Sequence, residues 1–402
     1  MQQITSITGG VTAPQGFVAA GVRCGVKKQG LDLAVIYSEL DCAAAGVFTT
    51  NAFKAASVVR NQEKLKSGLG RAVVVNSGNA NACTGTRGFA DVDSVCRLAA
   101  ELLSVPEEAI FNASTGIIGV PLPMEKIEQG VKDAVAQLSR TGGDAAAQAI
   151  MTTDTRPKVA AYEVTLGGKP VRIGGICKGS GMICPNMATM LCFISTDATI
   201  KTAALRTSLA SAVERSFNSL TVDGDMSTND SVLVLANGTS GCAEIASGTD
   251  EFDAFDAALA QVCLDLAKEI AKDGEGATKY VEVHVKNAKS SADARSAAMT
   301  IANSPLVKTA IFGEDPNWGR VLCAAGRSSA RIIPEKTSLY FGDVKIVERG
   351  EPTGVDAETA RGPMLAKELV ITVDLGLGDA SAMAYTCDFS YDYVKINAEY
   401  HT

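Results

Sequence analysis

Residues 178–198 read KGSGMICPNMATMLCFISTDA, a glycine-punctuated loop followed directly by an apolar run of strand length. Pro185 and Asn186 mark a turn, and 190–195 is apolar enough to form a buried strand. Thr189 therefore lies where a loop enters a rigid element, which suits a nucleophile that must be held firmly and still be reached. The alternative is an ordinary threonine at the edge of a strand, because threonine is a common β-former.

The segments on either side of this stretch predict an α/β protein. A hairpin-like pair of strands, 162–166 and 171–176, precedes it, and helices are expected over 201–217 and 250–272 after it. Further strands are predicted at 31–36, 71–76, 231–237, 280–285, 338–341, 344–347, 368–375 and 381–388, and further helices at 91–103, 124–138, 144–150 and 292–302. Because strands and helices do not alternate regularly, we expect layered mixed sheets flanked by helices.

The composition is that of a globular protein with a substantial core. The chain has 402 residues, of which 46% are hydrophobic and 20% charged. A net charge of −8 without clusters of Lys and Arg argues against a nucleic-acid partner. No apolar run approaches the roughly 20 residues that cross a bilayer, and residues 1–16 resemble neither a signal nor a transit peptide. We therefore expect a cytoplasmic protein without a membrane partner.

The cysteine pattern argues against disulfides and against a metal site. The eleven cysteines are an odd number, contain no CxxC pair, and many lie among apolar or small residues. Examples are Cys42, Cys83, Cys96, Cys192 and Cys263. We expect most of them to be reduced and buried. Neither HExxH nor paired cysteine spacing occurs, so a zinc site is not predicted.

Histidine is too scarce for the usual catalytic triad. The chain has two histidines, His284 and the penultimate residue His401. His284 lies in an alternating strand, 280–285, and is expected to point out of a sheet. If the protein is a hydrolase or a transferase, its base is therefore expected to be another group.

Three loops contain residues that could bind a ligand. The loop 77–83 follows a strand and contains glycine, yet GxGxxG is absent, which disfavours a dinucleotide site. Thr115 and Gly116 lie in a second glycine loop that could present backbone N–H groups to an oxyanion, or could be a simple turn that requires glycine. The loop 221–230 carries three aspartates but lacks the EF-hand pattern, so a network of turns is favoured over calcium.

Several of these segments together resemble the ornithine acetyltransferase (glutamate N-acetyltransferase) family of arginine biosynthesis. The matching motifs are GGVTAPQGF from Gly9, NSGNANACTG from Asn76, STGIIG from Ser114, MTTDT from Met151, KGSGMI and MATML around Thr189, NDS from Asn229, EGATK from Glu275 and DPNWGR from Asp315. They extend over essentially the whole chain and into its C-terminal tail. Each motif is weak alone, but their number and order favour the assignment.

The resemblance implies a precursor that cleaves itself between Ala188 and Thr189. The products would be an α chain, 1–188, and a β chain, 189–402, which together form one intertwined unit, an N-terminal-nucleophile-like sandwich that assembles as an α2β2 heterotetramer. Cleavage frees the α-amine of Thr189, whose ordinary pKa of about 7.7 to 8.0 allows it to act as base for its own hydroxyl. Such an enzyme needs no histidine.

The resemblance also implies which residues act. Thr115 and Gly116 would form the oxyanion hole. The substrate-binding positions would be Thr152, Lys178, Thr189, Glu275, Asn397 and Thr402. We hypothesise that Lys178 pairs with an amino-acid α-carboxylate and that Glu275 receives the ammonium end of ornithine.

The implied reaction moves the acetyl group of N2-acetylornithine to glutamate through an acetyl-Thr189 intermediate. No metal or redox cofactor is required, and the sequence leaves open whether acetyl-CoA is also a substrate. An N-terminal-nucleophile aminopeptidase or amidase would use the same Thr189 chemistry with water as acceptor, whereas Lys178 and Glu275 favour an amino-acid acceptor. In a third, non-enzymatic interpretation the loop at 178–189 is a structural turn of a binding protein.

Overall fold

The computed structural model describes residues 3–184 and 190–399. The described residues form fifteen strands and eleven α-helices. The strands are β1 (Ile4–Ser6), β2 (Phe17–Val22), β3 (Leu33–Phe48), β4 (Leu69–Asn79), β5 (Ile110–Ile117), β6 (Lys158–Leu166), β7 (Lys169–Lys178), β8 (Leu191–Thr196), β9 (Ser231–Ala236), β10 (Tyr280–Ala288), β11 (Ser338–Phe341), β12 (Val344–Glu348), β13 (Glu351–Pro352), β14 (Glu368–Asp374) and β15 (Ala380–Cys387). The helices are α1 (Ala56–Lys64), α2 (Gly85–Leu103), α3 (Met124–Ala136), α4 (Gly143–Ala149), α5 (Thr202–Arg215), α6 (Asp250–Lys272), α7 (Ser291–Ala302), α8 (Pro305–Phe312), α9 (Trp318–Gly326), α10 (Ala357–Arg361) and α11 (Tyr391–Glu399).

The long strand β3 connects the two halves of a nine-stranded mixed sheet. The strand order is β1-β6-β7-β8-β9-β3-β4-β5, with β2 paired to β3. A register shift lies in β3 between Tyr37 and Cys42: 33–37 and 42–43 pair with β4, whereas 43–48 pairs with β9. Such an irregularity bends a strand. The two halves of the sheet therefore face each other.

Alternation of side chains along the strands generates four layers. On β9, Leu233 points into a core shared with Val75 of β4, whereas Val234 points outward into a core formed with α5 and α6. On β4, Val74 likewise points outward, toward α2 and α3. Successive residues of a strand face opposite sides, so both halves are apolar on both faces. The resulting order, helices, half-sheet, half-sheet, helices, confirms the predicted sandwich of mixed sheets flanked by helices.

A second sheet of six strands packs against its own helices. Its order is β13-β12-β11-β14-β10-β15, and its core contains residues of α7, α8 and α9. Tyr280, Tyr385 and Cys387 of this sheet also belong to the large core around α6, which joins the sheet to the sandwich. Strands that precede residue 184 pair with strands that follow residue 190: β7 lies beside β8, and β3 lies beside β9.

Most predicted elements are confirmed, and the exceptions are short or surface helices. The helix predicted at 91–103 begins earlier, at Gly85, so Asp91 does not lie in its first turn. The helices α1, α8, α9, α10 and α11 are not predicted from the sequence. The conspicuous DPNWGR segment runs into α9, where the Asn317 side chain accepts a hydrogen bond from the Arg320 N–H as a helix cap. Because α11 has no buried residue, its sequence has no apolar stripe.

The cysteines and His284 largely follow the predictions. All eleven cysteines, each within the described residues, are free, and seven are buried. Cys83 is an exception, since it is exposed. His284 is partly exposed and its Nε2 lies 2.9 Å from Glu282 Oε2. Among the described helices, none is long and apolar enough to cross a membrane.

Candidate active site

Six of the residues predicted to act line one open cavity of about 90 Å³. They are Thr115, Gly116, Thr152, Lys178, Glu275 and Asn397. The structure therefore brings together side chains from five separate parts of the chain. Ala188, Thr189 and Thr402 lie outside the described residues, although Met190, which follows Thr189, is described.

Thr115 and Gly116 lie at the carboxyl end of β5, beside the carboxyl end of the parallel strand β4. Ser77 pairs with Thr115 and Gly78 with Gly116. The φ of Gly116 is +134°, and a Cβ there would lie 2.3 Å from the carbonyl carbon of Gly78. Only glycine fits this position. Gly78 belongs to the loop 77–83, for which the sequence disfavours a dinucleotide site. This loop packs closely against the predicted oxyanion residues.

Buried amide side chains hold these two strand ends. Asn76 accepts a hydrogen bond from Ser114 Oγ at 2.7 Å and donates one to the Asn79 carbonyl at 2.8 Å. From across the sandwich, Asn229 Nδ2 donates to the carbonyl oxygens of Ala80 and Ser114 at 2.6 and 2.8 Å. These bonds fix the backbone on which an oxyanion site depends. Sequence reasoning missed the role of Asn229, although the NDS motif marked its position.

Lys178 provides a buried positive charge at the end of β7. Its Nζ lies 3.4 Å from Thr115 Oγ1, and it forms no ion pair within 4.0 Å with any described residue. Burial lowers the pKa of Lys178, while the negative charge of Asp154 opposes that shift. An ammonium group that lacks a partner and lines a cavity is suited to binding a carboxylate.

A buried charge network supports the floor of the site. Lys158 Nζ lies 2.6 Å from carboxylate oxygens of both Asp154 and Asp273. Asp154 also accepts the N–H groups of Thr152 and Gly179 at 3.0 and 2.7 Å. Burial raises the pKa of Asp154, but the positive charges of Lys178 and Lys158 outweigh it and hold the value at about 2. The network thus joins the Thr152 loop, the end of β7 and the end of α6.

Glu275 provides the negative charge of the cavity. Its N–H donates to the Ser180 carbonyl at 2.9 Å, and its Oε2 accepts a hydrogen bond from Asn397 Nδ2 of α11 at 2.9 Å. A Cβ at Gly181 would lie 2.3 Å from this carboxylate, so a side chain at position 181 would displace it. Glu275 forms no ion pair with a described residue, and it is therefore available to a ligand's ammonium group.

No group of three or more His, Cys, Asp or Glu with the geometry to hold a metal ion occurs among residues 3–184 and 190–399. Two of the three aspartates of the loop 221–230, Asp223 and Asp230, accept backbone hydrogen bonds from described residues. Asp223, for example, accepts the N–H groups of Met182 and Ile183 at 2.6 and 2.9 Å. Asp223 also accepts the N–H of Asp225, within the loop, at 3.2 Å.

Comparisons with known proteins agree on one family. The model of the ArgJ family matches residues 18–402. The arginine biosynthesis bifunctional protein ArgJ of Symbiobacterium thermophilum is 53% identical over 98% of this chain and 99% of the relative, and that of Geobacter sulfurreducens is 52% identical over 96% and 99%. The chain is also similar to the solved structure of the arginine biosynthesis bifunctional protein ArgJ from Bacillus halodurans. The two share 42% identity with a TM-score of 0.51, over 52% of this chain and 98% of that one.

Proposed function

The chain belongs to the ArgJ family, and from this premise we propose that it transfers the acetyl group of N2-acetylornithine to glutamate. The protein is an enzyme of arginine biosynthesis. The observation that carries the proposal is the cavity itself, where the Thr115–Gly116 strand end meets a cation and a carboxylate that have no ionic partner among the described residues. An amino-acid substrate carries charges complementary to both side chains.

In the first half of the reaction we propose that the Thr189 hydroxyl attacks the acetyl carbonyl of N2-acetylornithine. The α-amine of Thr189 takes the hydroxyl proton and returns it to the departing ornithine nitrogen. Thr115 and Gly116 stabilise the oxyanion, a contribution of about 3 to 4 kcal/mol if one donor behaves as in other enzymes. Ornithine leaves, and the acetyl group remains as an ester on Thr189.

In the second half, glutamate enters the same cavity and its amine attacks the ester. Lys178 holds the α-carboxylate in both halves, whereas Glu275, supported by Asn397, holds the side-chain ammonium of ornithine. Thr152 and Thr402 complete the substrate site. The reaction uses no metal or redox cofactor. The curated relatives are called bifunctional, and we include acetyl-CoA as a second acetyl donor in the proposal.

We propose that the enzyme forms by self-cleavage between Ala188 and Thr189. The pairing of β7 with β8 and of β3 with β9 would keep chains 1–188 and 189–402 together in one unit. The solved Bacillus halodurans chain supports this division, because 98% of it matches only 52% of the present chain. We further propose an α2β2 heterotetramer in the cytoplasm.

A coupled assay tests the proposed function. Purified protein is incubated with N2-acetylornithine and glutamate, and N-acetylglutamate and ornithine are quantified. Equal amounts of both products are expected, with parallel lines in double-reciprocal plots, as ping-pong kinetics require. Release of free acetate without N-acetylglutamate would instead indicate a hydrolase. Replacing N2-acetylornithine by acetyl-CoA tests the second donor in the same assay.

A further inference from the structure

The charge of Lys178 needs an explanation, because its side chain is almost fully enclosed by protein. Lys178 is 2% exposed, and its Nζ forms no ion pair within 4.0 Å with any described residue. Burial lowers the pKa of Lys178, and buried lysines can lose their proton near neutral pH. A neutral amine would not attract the α-carboxylate of a substrate. The site therefore depends on a group that keeps this amine protonated.

Charges of both signs surround Lys178. The charged side chains that act on it include two cations and three carboxylates: Lys27, Lys158, Asp154, Glu275 and Asp230. The cations favour the neutral amine, whereas the carboxylates favour the ammonium form. Among all these charges, that of Asp154 has the largest effect on Lys178.

The other two carboxylates are less suited to hold the charge of Lys178. Burial raises the pKa of Asp230 well above the ordinary carboxyl range, so this group is a weak source of negative charge. Glu275 is assigned to the ammonium group of ornithine, which neutralises it in the complex. Asp154, whose pKa is about 2 although burial raises it, is ionised throughout the neutral range. Asp154 is thus the carboxylate that opposes the loss of the Lys178 proton when the substrate is bound.

Three contacts fix the Asp154 carboxylate in place. Lys158 Nζ lies 2.6 Å from Oδ1, and the N–H of Gly179, the residue after Lys178, donates to the same oxygen at 2.7 Å. The Thr152 N–H donates to Oδ2 at 3.0 Å. These bonds join the end of β7, which carries Lys178, to the Thr152 loop, and both Lys178 and Thr152 line the cavity. One carboxylate therefore fixes the backbone beside two proposed substrate-binding residues.

Resting on the proposed binding of the α-carboxylate by Lys178, we propose that Asp154 is a positioning residue for acetyl transfer. It holds Lys178 in the ammonium form and fixes the Thr152 loop beside it. Asp154 does not line the cavity itself, since its two oxygens are occupied by Lys158, Gly179 and Thr152. Through Lys178, Asp154 thus favours substrates that carry an α-carboxylate.

The variant Asp154→Asn tests this role through the pH dependence of ligand binding. Ornithine is titrated by calorimetry into the wild type and the variant from about pH 6 to about pH 8.5, below the ordinary lysine pKa of about 10.4. The ratio of the two Kd values cancels the titration of ornithine and of the groups that both proteins share. As the pH rises, Lys178 should lose its proton in the variant, and the ratio should grow roughly 10-fold or more, the usual effect of losing a hydrogen bond to a charged group. A ratio independent of pH, as a purely structural role would give, would overturn the proposal.

Asp273→Asn is the matched control. Asp273 is also buried, lies 2.6 Å from the same Lys158 Nζ and accepts a loop N–H, that of Thr155, at 3.0 Å. It is not among the carboxylates that act most strongly on Lys178. The ratio of its Kd to that of the wild type should therefore stay nearly constant over the same pH range. An equal rise with pH in both variants would refute the specific role of Asp154, because loss of any carboxylate of the network would then be sufficient.

Arginine in place of Lys178 identifies the group that titrates. A guanidinium does not lose its proton in proteins, so in a Lys178→Arg background the substitution Asp154→Asn should change Kd by a factor independent of pH. A rise with pH that persists in the double variant would show that another group titrates, against the proposal. If Asp154→Asn fails to fold by circular dichroism, the wild type is compared with Lys178→Arg alone. Their Kd ratio should be constant, because Asp154 keeps the lysine charged, and a ratio that changes with pH would contradict this role.

Failure of the proposed substrate site gives a different result. If Lys178→Met binds ornithine as tightly as the wild type, Lys178 does not hold the α-carboxylate, and the role of Asp154 falls with it. If Lys178→Met weakens binding but the Asp154→Asn ratio is independent of pH, the substrate site stands and only the role of Asp154 is refuted.

Discussion

At the scale of the residue, Gly116 and Gly119 differ in one informative way. Both have positive φ, +134° and +81°. A Cβ on Gly116 would collide with the backbone of Gly78, whereas a Cβ on Gly119 would meet nothing within 4 Å. Substitution at Gly116 must therefore displace the strand end that carries the proposed oxyanion site, while substitution at Gly119 strains only the local backbone.

We predict that Gly116→Ala lowers kcat of acetyl transfer by about 10²- to 10³-fold, the usual effect of losing one oxyanion donor. The matched variant Gly119→Ala should retain most of the wild-type kcat. Steady-state kinetics of both variants, with circular dichroism to verify folding, check this expectation. Similar kcat values for the two variants would remove Gly116 from the proposed oxyanion site.

Substitution of Glu275 tests a second residue of the proposed substrate site. Hydrogen bonds to charged groups contribute about 1.5 to 3 kcal/mol, so Glu275→Gln should raise KM for N2-acetylornithine roughly 10-fold or more. The control is Glu269→Gln, because Glu269 is a partly exposed carboxylate of α6 that pairs with Arg156 at 2.8 Å. If Glu275→Gln leaves KM unchanged, Glu275 does not bind the ammonium group.

At the scale of the elements, Lys158 joins the start of β6 to the end of α6. Its buried ammonium is paired with two carboxylates, Asp154 and Asp273, and removing it leaves both buried carboxylates without their ion-pair partner. We predict that Lys158→Met lowers the free energy of unfolding by about 3 to 5 kcal/mol. Arg156→Ala removes an exposed ion pair nearby and should cost at most about 1 kcal/mol. Urea denaturation of the two variants measures the difference, and equal losses would contradict the assigned role of the network.

Sequence patterns predict most of the secondary-structure elements but not the contacts between distant residues. Apolar runs and alternation predict nearly every strand, because each strand must bury one or both faces. The network of Lys158 could not be predicted in this way, since Asp154 and Asp273 are far apart in sequence and meet only after folding. Helix α11 was missed for a related reason: its role is to carry Asn397 to Glu275, which requires no buried stripe.

At the scale of the whole molecule, the folded sheet explains why the site lies where it does. The parallel pair β4 and β5 ends at Asn79 and Ile117, one residue beyond Gly78 and Gly116, and the pair β8 and β9 begins at Leu191 and Ser231. Because the two half-sheets face each other, these strand ends lie close together. The hydrogen bonds from Asn229 to the carbonyl oxygens of Ala80 and Ser114 show this proximity. The sequence alone predicts the strands and the motifs. It does not predict which strand ends meet, because that depends on the bend in β3.

The central claim is that Thr189 carries the acetyl group. Purified protein is incubated with N2-acetylornithine in the absence of glutamate, quenched in acid and analysed by mass spectrometry. We expect fragment 189–402 to gain the mass of one acetyl group, located on Thr189, and to lose it when glutamate is added. N-acetylglutamate production by a protein whose fragment 189–402 is never acetylated, or whose chain remains uncut at residue 188, would contradict the account.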